Sequence, residues 1–354
     1  MNKIINLLKD KKSIPLDKFI NISLYKKNYG YYMKKNPFGK NGDFITSPLI
    51  SNLFGEMIAI WCVAFWEHLG KPKKILVLEL GPGDGSLCKD LLKTFKLFKS
   101  FYDCVEINLL EISDKLKKIQ NSKINSKKVK WIKKIENINY GPVIFIGNEF
   151  FDSLPIKQIY KKKNSLFEKC VKLSKDKKKI KFLYKKANKN LVKKAKSLNL
   201  FSSGNIIEYP AKSLGYLKII AKIIKKFNGG LLAFDYGYTN NKNLDTLQSI
   251  KKHKRSNILK YSGNADITSH VNFKLYNKVL KKNNLSVEKI IPQSEFLQKM
   301  GIIERANLLS KKMPFKEKAD MFYRLKRLLS YEEMGILFKV IFAKKKDIKF
   351  SLGF

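Results

Sequence analysis

The sequence predicts an α/β protein built on a doubly wound, mostly parallel sheet, with an N-terminal helical block and an antiparallel β insertion. Three observations predict it. Short, largely apolar runs recur at residues 75–78, 105–110, 143–147 and 230–235, as in strands buried on both faces of a parallel sheet. The first run leads into Gly81, Gly83 and Gly85, after which Leu87, Leu91 and Leu92 fall at helical spacing, giving a strand, a sharp turn and a helix. Residues 156–173 and 180–184 instead alternate apolar and polar side chains, the pattern of antiparallel strands with one wet face.

Taken in order, residues 1–72 read as mostly helical, broken by a turn-rich tract at 36–48 that Pro37, Gly39, Gly42 and Pro48 punctuate. A loop of that length suits a lid or binding element. The core of the sheet is expected over 73–155 and the β-rich insertion over 156–200. The rest of the sheet, with a substrate-binding region, is expected over 201–354. The lysine-rich helix at 188–196 reads as a solvated face. From Ala265 onward a helix, further strands and the closing segment at 338–345 complete the fold. No internal repeat is visible.

The glycine turn points to a nucleotide-like cofactor. Glycines there let the backbone approach a ligand at a helix N-terminus, on the carboxyl side of the strand. Glycine turns also join strands to helices where nothing binds, so two carboxylates matter: Glu79, just before the first glycine, and Glu111, ending the second strand. Glu111 either accepts hydrogen bonds from both hydroxyls of a ribose or is a solvated strand end. The dinucleotide pattern fails at Ser86, and no Gly-Lys-Ser or Gly-Lys-Thr follows to make a Walker loop.

The run from Glu79 to Gly85 resembles the first motif of class I S-adenosylmethionine-dependent methyltransferases, which have a Rossmann-like, doubly wound sheet. Longer segments resemble the MidA family: NYGYY (Asn28 to Tyr32), PFGKNGDFITSPLISNLFGE (Pro37 to Glu56), Trp61, GNEFFDSLPIKQ (Gly147 to Gln158), FDYGY (Phe234 to Tyr238), ADITSHVNF (Ala265 to Phe273) and EEMGILFKV (Glu332 to Val340). The likeness spans about Pro15 to Val340 with the motifs in order. It implies an S-adenosylmethionine cofactor and methylation of protein arginine, since the family's mitochondrial member is a complex I assembly factor with that activity. The chain departs from the family at Lys157, where a histidine is usual, at Gln248, where an arginine is usual, and in the run from Arg255 to Gly263. These departures leave the cofactor reading intact and loosen the tie to that member's own substrate.

For the cofactor the candidate residues are Glu79, Gly81, Gly83, Gly85, Glu111 and Asn148. For catalysis they are Glu149 and Asp152 first, then Asp235, Asp266 and His270. The strand at 143–147 delivers Asn148 to Asp152 to the carboxyl edge of the sheet, where open α/β sheets bind ligands. Paired carboxylates grip a planar guanidinium through bidentate hydrogen bonds, and a carboxylate or His270 within reach can take its proton. Phe150 and Phe151 either wall the site against water or belong to the core, and Asp266 either acts in catalysis or caps a helix beginning near Thr268.

A net charge of +44 over 354 residues suggests anionic partners. Yet of 73 basic residues only Arg255, Arg305, Arg324 and Arg327 are arginine, the side chain suited to bidentate phosphate and base recognition. Abundant lysine, asparagine and isoleucine are what an AT-rich genome imposes, and no specific nucleic-acid partner is expected. Cys62, Cys88, Cys104 and Cys170 lack metal-ligand spacing and, with three histidines, predict reduced thiols and no metal site. No run approaches the roughly 20 apolar residues of a membrane span. The N-terminus lacks the features of a secretory signal or a transit peptide, so the bacterial cytoplasm is the simplest compartment, with a mitochondrial matrix as the alternative. Three functions stay open: a protein arginine methyltransferase acting on a respiratory complex I subunit or another protein, a cofactor-binding assembly chaperone, and an RNA methyltransferase.

Overall fold

A computed structural model describes residues 3–9, 12–39, 42–201, 204–240 and 245–354. The chain forms two compact units. A sheet unit takes Ile45–Phe150, Leu217–Tyr238 and Val271–Phe354, and an insertion unit takes Met1–Phe44, Phe151–Tyr216 and Thr239–His270. This division differs from the expected boundaries. The helical block over 1–72 is split after Phe44, because its later helix is apolar on most sides and belongs to the large core, whereas Leu16–Tyr25 packs in the smaller one. Of the expected loop at 36–48, Lys40 and Asn41 lie outside the described residues.

The sheet unit is built on seven main strands in the spatial order Leu285–Val287, Phe338–Lys345, Gly229–Tyr238, Val143–Asn148, Ile75–Leu80, Val105–Leu110 and Val129–Ile132. The last five are mutually parallel, and Phe338–Lys345 runs antiparallel to Gly229–Tyr238. Every residue of Ile75–Leu80 is buried, which is why the strand reads as an unbroken apolar run apart from Glu79. The chain winds outward from Ile75–Leu80 to Val129–Ile132, then returns to the other side with Val143–Asn148. The strand order therefore reverses between Ile75–Leu80 and Val143–Asn148, the switch point where such sheets open a crevice at their carboxyl ends.

Helix Asn52–His68 supplies Phe54, Trp61 and Phe65 to the core of this unit. Phe54 meets Phe234 edge-on at 5.2 Å and Trp61 meets Phe342 at 4.9 Å. Gly55 lets this helix lie against Ser86–Phe95, since a Cβ there would stand 2.5 Å from the Cβ of Asp90.

The insertion unit holds an antiparallel sheet in the order Ile14–Pro15, Ser165–Leu173, Lys157–Lys162, Ile206–Tyr209, with Ile180–Lys186 also paired to Ser165–Leu173. Helix Leu16–Tyr25 buries Leu16, Phe19, Ile20 and Leu24 in a core shared with Ile156, Val171 and Ile267. A small sheet of Gln248–Lys251, Lys254–Arg255 and Asp266–Thr268 completes it. Lys157 pairs with Asp17 at 2.9 Å and Glu168 at 2.6 Å and so ties helix Leu16–Tyr25 to the sheet.

Candidate functional site

In the sheet unit the glycine turn is a cradle of left-handed backbone, with φ of +63° at Gly81, +56° at Gly83 and +85° at Gly85. A Cβ would meet Phe150 at 2.9 Å from Gly81, and Ile124 at 3.1 Å and Gln120 at 3.3 Å from Gly85. Both conformation and space therefore require glycine at these two positions. Helix Ser86–Phe95 begins directly after Gly85, so its first N–H groups lie at the end of the turn. Asp84 accepts from the Ser86 N–H at 3.1 Å and pairs with Lys123 of helix Asp114–Ile124, which fixes the loop against that helix.

Glu111 sits just past the neighbouring strand and is buried rather than solvated, which removes the strand-end reading. Its Oε1 accepts from the Ser113 N–H at 2.7 Å and its Oε2 from Gln120 Nε2 at 3.1 Å. A carboxylate has about four lone-pair sites, so each oxygen keeps capacity for one more donor, as a ribose diol requires. Burial raises its pKa, while Ser113, Gln120, the Ile112 N–H and the Lys117 charge pull it back.

Gln120 was not singled out by sequence. From helix Asp114–Ile124 it donates to the Gly83 carbonyl at 2.8 Å as well as to Glu111, and it accepts from the Trp131 indole at 2.8 Å. A fully buried glutamine thus joins the glycine turn, the Glu111 carboxylate and the Val129–Ile132 strand. The available signal was one polar residue on the buried face of an otherwise lysine-rich helix.

Glu79 is buried in the strand, and its Oε2 has no partner among the described residues. Burial, with the charges of Asp84 and Asp90 nearby, pushes its pKa up to about 8. At the end of the adjoining strand, Asn148 Oδ1 is likewise a buried acceptor without a partner among the described residues, while Nδ2 donates to Glu149 Oε1 at 3.2 Å. Glu149 has a left-handed φ of +51° and accepts from the Ser47 N–H at 3.2 Å. Asp235 lies one residue beyond Phe234, which pairs with Asn148, and is buried at the same carboxyl edge. The sheet unit therefore gathers Glu79, Gly81, Gly83, Gly85, Glu111, Asn148, Glu149 and Asp235. Two orphaned acceptors and a cradle that a Cβ would fill suit a ligand bearing a cation, an amino group and a ribose.

The other three candidates lie in the insertion unit. Asp152 and Asp266 are both buried, and Asp266 receives the Tyr32 hydroxyl at 2.8 Å. Asp266 does not cap a helix. It opens the strand Asp266–Thr268, and the next helix, Phe273–Lys282, is capped by Asn272, whose side chain accepts from the Leu275 N–H at 2.9 Å. Burial first, and then the neighbouring Asp152 charge, raise the Asp266 pKa to about 7. His270 is held through its backbone N–H to Thr246 Oγ1 at 2.9 Å, and burial together with the Arg255 charge lowers its pKa. Phe150 and Phe151 are both buried, and Phe150 abuts the glycine turn. Among the described residues no cluster of potential metal ligands occurs, and all four cysteines are free.

Five parallel strands with one antiparallel partner, a switch point beside the glycine cradle and an acid on the next strand define a class I S-adenosylmethionine-dependent methyltransferase. Residues 57–291 match the model of a family described as "Putative S-adenosyl-L-methionine-dependent methyltransferase", and the chain belongs to that family. Similar proteins include the mitochondrial protein arginine methyltransferase NDUFAF7 of Xenopus laevis, 29% identical over 96% of this chain and 83% of that one. The Caenorhabditis elegans homolog of that name is 31% identical over 92% and 80%. A Burkholderia thailandensis structure bound to S-adenosyl-homocysteine shares the fold, with a TM-score of 0.83 at 20% identity over 99% of this chain and 92% of the other.

Proposed function

We propose that this chain transfers the methyl group of S-adenosylmethionine to arginine side chains of a protein substrate. The observation that carries the reading is the near full-length similarity to relatives named protein arginine methyltransferases, supported by buried acids in a strongly basic chain. When bound, the cofactor supplies an electrophilic methyl group on a sulfonium. Glu111, oriented by Ser113 and Gln120, would hold the ribose, and the glycine turn would let the backbone close on the ligand. A guanidinium is a poor nucleophile, so a carboxylate that draws its charge onto the nitrogens not being methylated lowers the barrier. In the sheet unit the candidates for that task are Glu149 and Asp235; in the insertion unit they are Asp152 and Asp266, with His270, whose pKa burial lowers, as a candidate proton acceptor.

A respiratory complex I subunit is the proposed target, following the relatives' name, and the proposed compartment is a reducing one, in keeping with four free cysteines. No helix among the described residues is long and apolar enough to cross a membrane. Nucleic acid is the weaker substrate. Of the four arginines, Arg305, Arg324 and Arg327 already face carboxylates, at 2.9, 2.7 and 3.2 Å. The test is to incubate the purified chain with methyl-labelled S-adenosylmethionine and either isolated complex I subunits or total RNA, hydrolyse the products and look for methylarginine. Label in lysine or RNA would overturn the arginine assignment. Cofactor binding without any transfer would favour the assembly-chaperone reading.

A further inference from the structure

The large apolar side chains that this protein leaves exposed are concentrated in one stretch of the sheet unit. Of the ten among the described residues, Leu308, Phe315, Tyr323, Tyr331 and Leu337 fall between positions 308 and 337. Phe315 is 87% exposed and Tyr323 65%, and both belong to helix Phe315–Leu329, which follows Pro314. One side of that helix is packed: Leu325 and Leu328 are buried in the core, with Met321, Phe322 and Leu329 against it. Phe315, Ala319 and Tyr323 are all exposed and recur every fourth residue, so they lie along a second stripe that faces solvent. An exposed stripe of this kind marks an interaction surface.

Lysines surround the stripe. Lys311, Lys312, Lys316, Lys318 and Lys326 are exposed, and none pairs with a carboxylate among the described residues. Residues 308–327 hold seven basic and two acidic side chains. Of those two acids, Asp320 is taken by Arg324 at 2.7 Å, and Glu317, two residues after Phe315, lies on the far side of the helix. Arg327 is likewise held, by Glu333 at 3.2 Å. Single aromatics spaced by lysines do not make the contiguous apolar centre of a protein interface, in which lysine is depleted. Nucleic acid favours arginine, and both arginines here are engaged. A bilayer with anionic lipids suits both features, taking rings at the level of its headgroups while lysine ammoniums meet the phosphates. We propose that helix Phe315–Leu329 and the loop before it dock this protein peripherally on an anionic lipid surface. Phe315 enters the headgroup layer, Tyr323 lies along it, and the five free lysines supply the electrostatic attraction. This docking does not depend on the methyl-transfer reading.

Charge alone would draw a chain of net +44 to any anionic surface, so the aromatic residues carry the test. The full chain is floated with vesicles of phosphatidylcholine alone and of phosphatidylcholine mixed with phosphatidylglycerol. Salt is set at about 0.1 M and about 1 M, between which the screening length falls from about 10 Å to about 3 Å. We expect binding to the mixed vesicles, strongest at the lower salt, and little to phosphatidylcholine alone. Phe315→Ser combined with Tyr323→Ser leaves the charge unchanged and should weaken that binding at least about fivefold, the scale expected when buried apolar area adds to electrostatic attraction. Leu97→Ser, at an exposed site outside the stretch, should bind as wild type. Because both rings are exposed, the double variant should unfold in urea at the wild-type midpoint. Phe315→Trp gives a reading at the site itself: its added emission should move to shorter wavelength on mixed vesicles and be quenched by brominated lipid. Wild-type vesicle binding by the double variant, an equal loss in Leu97→Ser, or Phe315→Trp emission indifferent to vesicles would overturn the proposal. A shift produced by RNA and not by vesicles would overturn it in favour of nucleic acid.

Discussion

Glu111 combines burial with two donors that hold its carboxylate in place, which is what recognition of a ribose diol demands. Replacing it by alanine should weaken S-adenosylmethionine binding by about 1–3 kcal/mol, the scale of hydrogen bonds to a charged group. Calorimetry checks this, and unchanged affinity would remove the ribose assignment. Glu149 should behave differently. It accepts from Ser47 and Asn148 at the strand end, so Glu149→Gln keeps the shape of the site while removing its charge. Turnover on an arginine substrate should fall by at least about tenfold, equivalent to ~1.4 kcal/mol in the barrier, while cofactor affinity stays near wild type. An equal loss of affinity would count against a role in catalysis. That both acids stand at the carboxyl edge of the sheet was legible in the sequence, because each directly follows an apolar run. That Glu79 and Asn148 hold orphaned acceptors was not, since orphaning depends on neighbours brought in by other strands.

Among the elements, the unit of strand Ile75–Leu80, glycine turn and helix Ser86–Phe95 was the most legible, because conformation and packing there demand residue types that few other arrangements require. Gly85→Ala should cost about 1–2 kcal/mol from the left-handed backbone alone. The contacts at 3.1 Å with Ile124 and 3.3 Å with Gln120 add to that, and urea denaturation measures the sum. Gln120 carries a second prediction at this scale. Its removal leaves one Glu111 oxygen and the Gly83 carbonyl without donors, so Gln120→Ala should weaken cofactor binding up to about tenfold, roughly one net hydrogen bond. An affinity equal to wild type would show that the turn and Glu111 are held by other means. Long-range links of this kind escape sequence reading, as does the placement of Asp266. The run ADITSHV carries helix-cap chemistry in Thr268 and Ser269, but the strand Gln248–Lys251 pairs with Asp266–Thr268 and imposes extended backbone there. The antiparallel insertion was readable from alternation, whereas the split of the N-terminal block after Phe44 depends on which core each helix joins.

For the molecule as a whole, the charge excess is less informative than the acids that remain buried. Glu79 and Asp266 have pKa values raised to about 8 and about 7 from ordinary values of 4.5 and 3.8, and Glu111 and Glu208 are raised in the same direction. A carboxyl whose folded pKa is raised binds its proton more firmly when folded. Its contribution is complete below the unfolded value and is lost as pH rises through the folded one. His270, with a lowered pKa, works the other way, but only below its ordinary value of 6.5. Asp43 and Glu106, whose pKa values are lowered, act below the ordinary carboxylate range. Between pH 6.5 and 8 the raised acids therefore dominate, and the ligand-free protein should lose stability with rising pH. Each group held fully protonated only in the folded state contributes a slope of ~1.4 kcal/mol per pH unit. Urea midpoints across this range measure the loss, and Glu79→Gln should flatten it. A bound cation supplies the missing counter-charge, so saturating S-adenosylmethionine should flatten the same profile in the wild-type protein. A profile that is flat without ligand would mean that Glu79 is not held protonated, and the orphaned oxygen would then need a donor other than the cofactor.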